Sequence, residues 1–550
     1  MLCERYDALL KIRAPWDTLW EEISRYVMPR RAPGQYGTLT PNNEKESRLF
    51  DTTAVQANMI LANGCMAWMS PMEGAWFASV PQAHGGPAPD DLKQWHSTAT
   101  ERTRNKLAVS NFYTAIHEFY LDRSAFGTAC LFQEPGKNNG INVQCWSCGT
   151  FVIDEDENGD VDTVVRSFKL TARQAVLKFG EGQCHELVRK AAADGGASAM
   201  KQFEFLHFIM PRTERDAEKQ DAMNLPIASI YLDKENSHVC REGGYRKMPC
   251  QVSRYLEWGT GFGGLYGWSP SFAALPEARQ VNFLQKMMDA LAEKAAFPPV
   301  LAPEELEGEI DPNAFGVTYF SASMAAGAMP KEWMTQGRYD VGKDRVKERQ
   351  EAINRAFHVD LFQMFSQLEK QMTAREVSER SSEKLIQFSP TFARLVTELF
   401  NPLLDNIYDI GFHLGWYPEL PQSAADAPEW QVEYTSRIAQ ALRSLPVLAI
   451  HRMVEMLSAM APLNPGVIDN VNFDEAIRLI GSVDSMPEGV MRPKAEVDKG
   501  RKAQADAQAK QMQMEQASVA AKAASDVGRI PAESPVGNII ASNLPGVQAA

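Results

Sequence analysis

The segment "SFAALPEARQVNFLQKMMDALAEKAA", Ser271 to Ala296, restricts the architecture more than any other part of this 550-residue chain. Its apolar residues Leu275, Ala278, Val281, Leu284, Met288, Leu291 and Ala295 recur at near-heptad spacing, which predicts one long helix with a single apolar stripe. At about 1.5 Å per residue that helix would reach roughly 39 Å. "FPPVLAP" then breaks it, a compact non-helical insert runs to about Gly342, and "KDRVKERQEAINRAF" begins a second helix. Two helices flanking a small insert make a hairpin with a cap, and a stripe of this kind requires neighbours to cover it.

The second helix leads into "FQMFSQLEKQMTAREVSER", where two signals compete. Phe357, Leu361, Met364, Phe365, Leu368 and Met372 keep helical spacing, yet Thr373 followed by Glu376 is a capping box that starts a helix. A chain already in register is therefore read as stopping and restarting at Thr373. One helix with a hinge is the alternative that periodicity leaves open.

Upstream, "CERYDALLKIRAPWDTLWEEISRYV" places Leu9, Ile12, Trp16, Leu19, Trp20, Ile23 and Val27 on one face and ends in a Pro/Gly cluster. Further helices are predicted from about Asp51 to the residue before Pro71, and near Asp91–Leu107 and Asn111–Ala125. The period then changes to two. "TACLFQE", "INVQCWS", "TFVID", "DVDTVVRSF", "FEFLHFIM", "IASIYLD" and "QVSRYLEW" read as strands, with "ENG" as a hairpin turn. Downstream, helices interrupted at Pro390 and Pro402 run to Trp416, and residues from about Glu433 to Ile480 read as another helical unit. An Ala/Gln/Lys tail can be helical but has no large core residues. The fold class is mixed α+β, predominantly helical.

A 44% hydrophobic and 23% charged composition is ordinary for a globular chain with a sizeable core. The net charge of −14 argues against tight nucleic-acid binding, because each neutralised phosphate needs a Lys or Arg. It suits a surface past which nucleic acid slides. No apolar run approaches the ~20 residues of a membrane helix. The charged start "MLCERYDALLKIR" gives the expectation of intracellular synthesis, and eight cysteines without a paired framework read as reduced thiols.

Four motifs imitate chemistry. "GRYDVGKD" fits a phosphate loop until Asp344 stands where Ser or Thr must bind magnesium. "GTGFGG" is a lone glycine match better read as a hinge. "DEDENGD" has calcium-loop spacing at Asp154, Asp156 and Asn158, but Val165 replaces the required Glu, so it reads as a hairpin tip. "CWSC" (Cys145, Cys148) has no second C-x-x-C, and "CHE" at Cys184 is a loose partner. No catalytic residue, cofactor site or metal site is assigned.

Four separated segments resemble one family. They are "SRLFDTTAVQANMILANGCMAWMSPMEGAWF", "YGWSPSFAALPEARQVNFLQKMMDALAEKAAFPPVLAP", "MTAREVSERSSEKLIQFSPTFARLVTELFNPLL" and "WQVEYTSRIAQALR". In this order they are similar to the portal, or head-to-tail connector, proteins of short-tailed bacteriophages, over roughly residues 1–480. Arg375 departs from the family's Met-Thr-Ala-Thr-Glu and would alter local channel charge.

The resemblance implies a ring, typically of twelve subunits, at one capsid vertex of the virion, assembled in the host cytoplasm. Double-stranded DNA would enter and leave through its axis. The implied parts are a wing (1–270), stem helices (271–296 and 343–357), a clip (297–342), a tunnel loop (358–372), wing return helices (373–430), a crown (431–493) and an Ala/Gln-rich helix with a flexible tail (494–550). Channel-facing candidates are His358, Asp360, Gln363, Ser366, Gln367, Lys370 and Gln371. Clip acids Glu304, Glu305, Glu307, Glu309 and Asp311 would steer a basic partner, and Leu284, Met288 and Leu291 would form the ring interface. Implied partners are the terminase large subunit, tail adaptor or nozzle proteins, and capsid and scaffolding proteins, with no membrane and no cofactor. A tail adaptor and a nucleotide-driven packaging subunit are the competing readings.

Overall fold

The computed structural model describes residues 2–29, 31, 48–81, 89–219, 221–257, 264–296, 300–301, 331–332, 339–367, 389–421, 430–436, 471–483 and 494–527, with scattered positions between 439 and 460. Contacts divide the chain into two units, Met1–Leu445 and Pro446–Ala550.

The first unit opens with α1 (Leu2–Tyr26), α2 (Thr53–Met69), strand β1 (Phe77–Pro81), α3 (Asp90–Val109) and α4 (Phe112–Phe126). Leu9, Trp20, Ile23 and Val27 are buried as the spacing of α1 requires, while Leu19 is exposed. The Trp20 indole N–H donates to the Phe126 carbonyl at 2.9 Å, so α1 is held against the end of α4.

Strands β2 (Thr128–Pro135) and β3 (Ile141–Trp146) follow, then β4 (Phe151–Glu155) and β5 (Val161–Thr171). Two short helices, α5 (Ala172–Phe179) and α6 (Glu186–Asp194), precede β6 (Gln202–Pro211), β7 (Ile227–Asp233), β8 (His238–Tyr245) and β9 (Cys250–Arg254). They form a three-stranded sheet in the order β3-β2-β9 and a five-stranded sheet in the order β4-β5-β6-β7-β8. The second is antiparallel throughout and buried on two sides. Val165, Leu206 and Phe208 pack under Tyr6 and Leu9 of α1, and Phe203, Phe205 and Tyr231 pack under α5 and α6.

Helix α7 (Pro270–Ala296) leaves this region from a rigid root. Ser269 and Ser271 hydroxyls donate to the Ala125 and Ser124 carbonyls at 2.7 and 3.1 Å. Gly127, with φ of +81°, lies against Gly267 so closely that a Cβ on either would meet the other's carbonyl. Beyond α7 come the strand pair β10 (Val300–Leu301) and β11 (Lys331–Glu332), then α8 (Tyr339–Ala356) and α9 (Val359–Gln367).

A π turn at Val396–Phe400 leads into α10 (Asn401–His413), whose Leu403, Leu404, Ile407 and Tyr408 complete the main core. The turn presents Glu398 to Arg254, which is 4% exposed. Glu398 accepts from the Arg254 backbone N–H at 2.7 Å and from its guanidinium at 3.2 Å, while Glu155 and Glu257 also pair with Arg254. Arg394 reaches Glu257 at 2.7 Å and Glu398 at 3.1 Å. Two arginines and three glutamates thus join the β4–β5 hairpin, β9 and the returning helix.

Strand β12 (Trp430–Tyr434) pairs antiparallel with β1, so the helical reading that began at Glu433 starts too early. Its pattern is only five residues long, and its partner lies more than three hundred residues upstream, where local spacing gives no hint. Strand β8, "HVCREGGY", was missed as well, because two glycines and three charged or imidazole residues mask an edge strand that exists through its pairing with β7. In the second unit, α11 (Phe473–Val483) and the long α12 (Lys494–Val527) are joined by an ion pair between Asp474 and Arg501. Among the described residues no helix is long and apolar enough to cross a membrane.

Candidate functional site

The helix–insert–helix reading corresponds to an α7–α8 hairpin. Arg349 of α8 pairs with Glu277 of α7 at 2.6 Å, and Met288 packs on Gly342, where any side chain would collide with its sulfur. The hairpin also rests on the segment entering α2. The Asn282 amide accepts from the Phe50 backbone N–H at 2.6 Å and donates to the Arg48 carbonyl at 3.2 Å. Gln350 donates to Asp51 at 2.8 Å.

One face of α7 is therefore used inside the protomer. Phe272, Leu275, Ala278, Val281 and Met288 are buried; Leu284 and Leu291 are half-buried. The interface candidate Met288 faces α8 of its own chain. A second row was not anticipated: Phe283 is 61% exposed and Met287 44% exposed, one helical turn apart. Phe283 and Leu284 line a shallow groove with Arg279 and Gln280. The signal was in the sequence as an aromatic and a thioether lying off the main stripe.

Helix α8 ends close to where the resemblance implied. Ile353 and Phe357 are fully buried, and His358 takes φ of +54°, a left-handed conformation that costs a non-glycine residue about 1 kcal/mol and stops the helix. The His358 carbonyl then accepts from Leu361 N–H at 3.0 Å, inside the first turn of α9. Residues 359–367 are thus helical, within the span that the resemblance assigns to the tunnel loop and for which a hinged helix was the open alternative. Val359, Leu361 and Phe362 turn inward, with Phe362 against Gly64 of α2, while Asp360 and Gln363 are exposed. Burial lowers the His358 pKa, opposed by the charge of Asp360. Ser366 and Gln367 lie in the last turn of α9. Lys370, Gln371, the Thr373 capping box, Arg375 and the acids Glu304, Glu305, Glu307, Glu309 and Asp311 fall outside the described residues.

The profile of the family described as bacteriophage head to tail connecting protein matches residues 1–491. The chain belongs to that family. This connector is 29% identical over 488 residues to the probable portal protein of Bordetella phage BPP-1, across 86% of its own length and 85% of the relative's. It is 26% identical over 523 residues to the portal protein of Salmonella phage epsilon15, across 93% and 91% of the two chains. A chain from the virion of a native gene transfer agent particle aligns over 78% of the connector and 89% of its own length, at 12% identity and a TM-score of 0.32, a likeness that carries no fold argument.

In the connector, the enzyme-like motifs become structural parts. Gly342, Lys343 and Asp344 lie within the first turns of α8, so their backbone N–H groups are engaged in a helix and do not cradle a phosphate. Asp156 caps the β4–β5 hairpin tip, accepting from Asn158 and Asp160 N–H groups at 2.8 and 2.9 Å. Those bonds hold its carboxyl below the usual carboxylate range. Cys148 is buried and Cys145 half-buried; burial, aided by Asp122, pushes both thiols well up, opposite to what a reactive thiolate needs. Among the described residues, no group of three or more His, Cys, Asp or Glu is placed to hold a metal.

Proposed function

We propose that the connector assembles through its α7–α8 hairpin into the portal ring of a short-tailed phage, through which double-stranded DNA is packaged and ejected. The observation that carries this reading is the exposed Phe283–Met287 row on a helix whose opposite face is already packed, in a chain whose family match spans 491 residues. A monomer has no use for that row, whereas side-by-side hairpins cover it.

On this reading α7 and α8 are stem helices, and the clip, assigned to 297–342, lies between them and ends in the first turn of α8, which begins at Tyr339. The break at His358 redirects the chain from the stem into a channel segment, 358–372, led by α9 with Asp360 and Gln363 at its surface. The clip acids would steer a terminase or tail-adaptor surface rich in Lys and Arg, mainly by raising its association rate. Residues 1–270 and 373–430 serve as wing and 431–493 as crown, with twelve subunits as the stoichiometry.

Negative-stain imaging of the purified chain tests the reading. Rings with a channel of duplex-DNA width are expected, and a monodisperse monomer at high concentration would overturn it. ATP turnover abolished by Lys343→Ala would favour a nucleotide-driven packaging subunit instead.

A further inference from the structure

A row of side chains crosses four strands of the five-stranded sheet. In the ladder register Arg166 of β5 stands opposite His207 of β6, His207 opposite Tyr231 of β7, and Tyr231 opposite Arg241 of β8. Directly paired residues project from the same face of a sheet, so the row is continuous. Lys178 of α5 joins it, with its ammonium 4.9 Å from the centroids of both Phe168 and Tyr231. The Arg166 guanidinium lies 4.7 Å from the Trp146 ring and 5.5 Å from that of Phe168. His207 fills the middle, fully buried, stacked on Tyr231 at 3.9 Å and hydrogen-bonded to the Ser229 hydroxyl at 2.9 Å.

The three cations lack counterions. Among the described residues no carboxylate lies within 4.0 Å of Arg166, Lys178 or Arg241, although Glu134 is near enough to act on Lys178 and Arg166 through its field. The buried Arg166 Nε and the Trp146 indole nitrogen have no hydrogen-bond partner. Burial, followed by the fields of Lys178, Arg166 and Arg241, depresses the His207 pKa well below its ordinary value, which keeps the centre of the row neutral. Three cations in one row, two of them seated on aromatic faces and none within 4.0 Å of a carboxylate among the described residues, are unusual in a chain of net charge −14.

We infer that the Arg166–Lys178–Arg241 row is a docking site for an acidic polypeptide segment, whose Asp or Glu carboxylates pair with these cations. Lys178 and Arg241 are exposed while Arg166 is half-buried, so the row runs from an open rim to a recessed end. A carboxylate on a flexible side chain can enter such a recess and take the Arg166 fork, a geometry that guanidinium groups favour. A duplex presents a rigid convex backbone, which could engage only the exposed pair, and the acidic remainder of the chain would repel it. The site is independent of ring formation, so its failure would leave the portal reading standing.

The test uses the full-length protein and a fluorescent oligo-glutamate peptide, followed by anisotropy at low and high salt. An oligo-glutamine peptide and a short DNA duplex serve as comparators. Oligo-glutamate should bind, weaken as salt rises, and lose roughly tenfold or more in affinity in the Lys178→Glu/Arg241→Glu double variant. Both substituted side chains are exposed, and an unchanged melting transition would establish that the variant is folded. No binding of oligo-glutamate by the wild type, or equal affinity in the folded variant, would overturn the proposal. So would duplex binding that is as tight and is lost in the same variant, since the occupant would then be nucleic acid.

Discussion

The five-stranded sheet and the α7–α8 hairpin use apolar residues in different ways. The sheet is covered on both faces within one protomer, by α1 on Leu206 and Phe208 and by α5 and α6 on Phe203 and Phe205. The hairpin is covered on one face and leaves Phe283, Met287 and Val341 in solvent. Fully burying a side chain of this size is worth about 1.5–3 kcal/mol, so covering the Phe283–Met287 row would contribute a few kcal/mol at each subunit boundary. The sheet region is thus complete as a folding unit. The hairpin leaves an apolar row that the proposed ring would cover.

If the sheet region is self-sufficient, the largest losses of protomer stability should come from its internal charges. Arg254→Met leaves Glu155, Glu257 and Glu398 with Arg394 as their remaining cation in that cluster. Removing one partner of a buried ion pair typically costs about 3–5 kcal/mol, because the other charge stays buried without compensation. Urea denaturation should show a loss of that order. A loss under about 1 kcal/mol would mean that the carboxylates relax into water, and the contrast with the hairpin would weaken.

A smaller effect should follow pH. Burial depresses the His96 pKa to about 4, where its Nδ1 meets the Ser79 hydroxyl at 2.7 Å, and it also depresses His207 well below its ordinary value. An unfolded imidazole takes up its proton near 6.5, so below that pH the unfolded chain binds more protons than the folded one. Stability is therefore full above about 6.5 and falls as pH drops. For His96 the cost is about 2 kcal/mol by pH 5, and it levels off near the folded value of about 4. Burial raises the pKa of Asp17 and Glu155, which opposes this trend, so the difference between wild type and His96→Gln isolates the imidazole. Equal pH slopes for the two proteins would place His96 in contact with solvent.

The parts of the fold legible in the sequence were those with long local periods. The stripe of α7, the alternation in "DVDTVVRSF" and the apolar face of α1 each repeat often enough to outweigh individual exceptions. What escaped depends on distant partners: β12 exists because Phe77–Pro81 offers it an edge, and the Arg254 cluster gathers residues from 155 to 398. The break at His358 was legible as a place through the family resemblance, which implies a stem helix ending at 357, while the apolar spacing itself runs on past it. Its form was not, since a single left-handed residue followed by another helix has the same apolar spacing as a hinge. At the interface, spacing identified the helix but chose Met288, because a stripe shows which residues share a face and not which neighbour covers it.

That last distinction gives the smallest expected change in the protomer and the sharpest test of the comparison. Met288 and Phe283 lie on the same helix, yet Met288 is buried against Gly342 while Phe283 is 61% exposed. Met288→Ala should open a gap between α7 and α8 and cost about 2 kcal/mol, with a lower denaturation midpoint. The Phe283→Ser/Met287→Ser double substitution touches mostly solvent in the free protomer and should shift that midpoint by no more than about 0.5 kcal/mol. In the proposed ring it would remove the apolar row between adjoining hairpins, so ring yield in negative stain should fall sharply at concentrations where the wild type is fully assembled. Unchanged ring yield would transfer the assembly role to other surfaces. A large loss of protomer stability would instead mean that the row is already covered by its own chain, and the hairpin would then be as self-contained as the sheet.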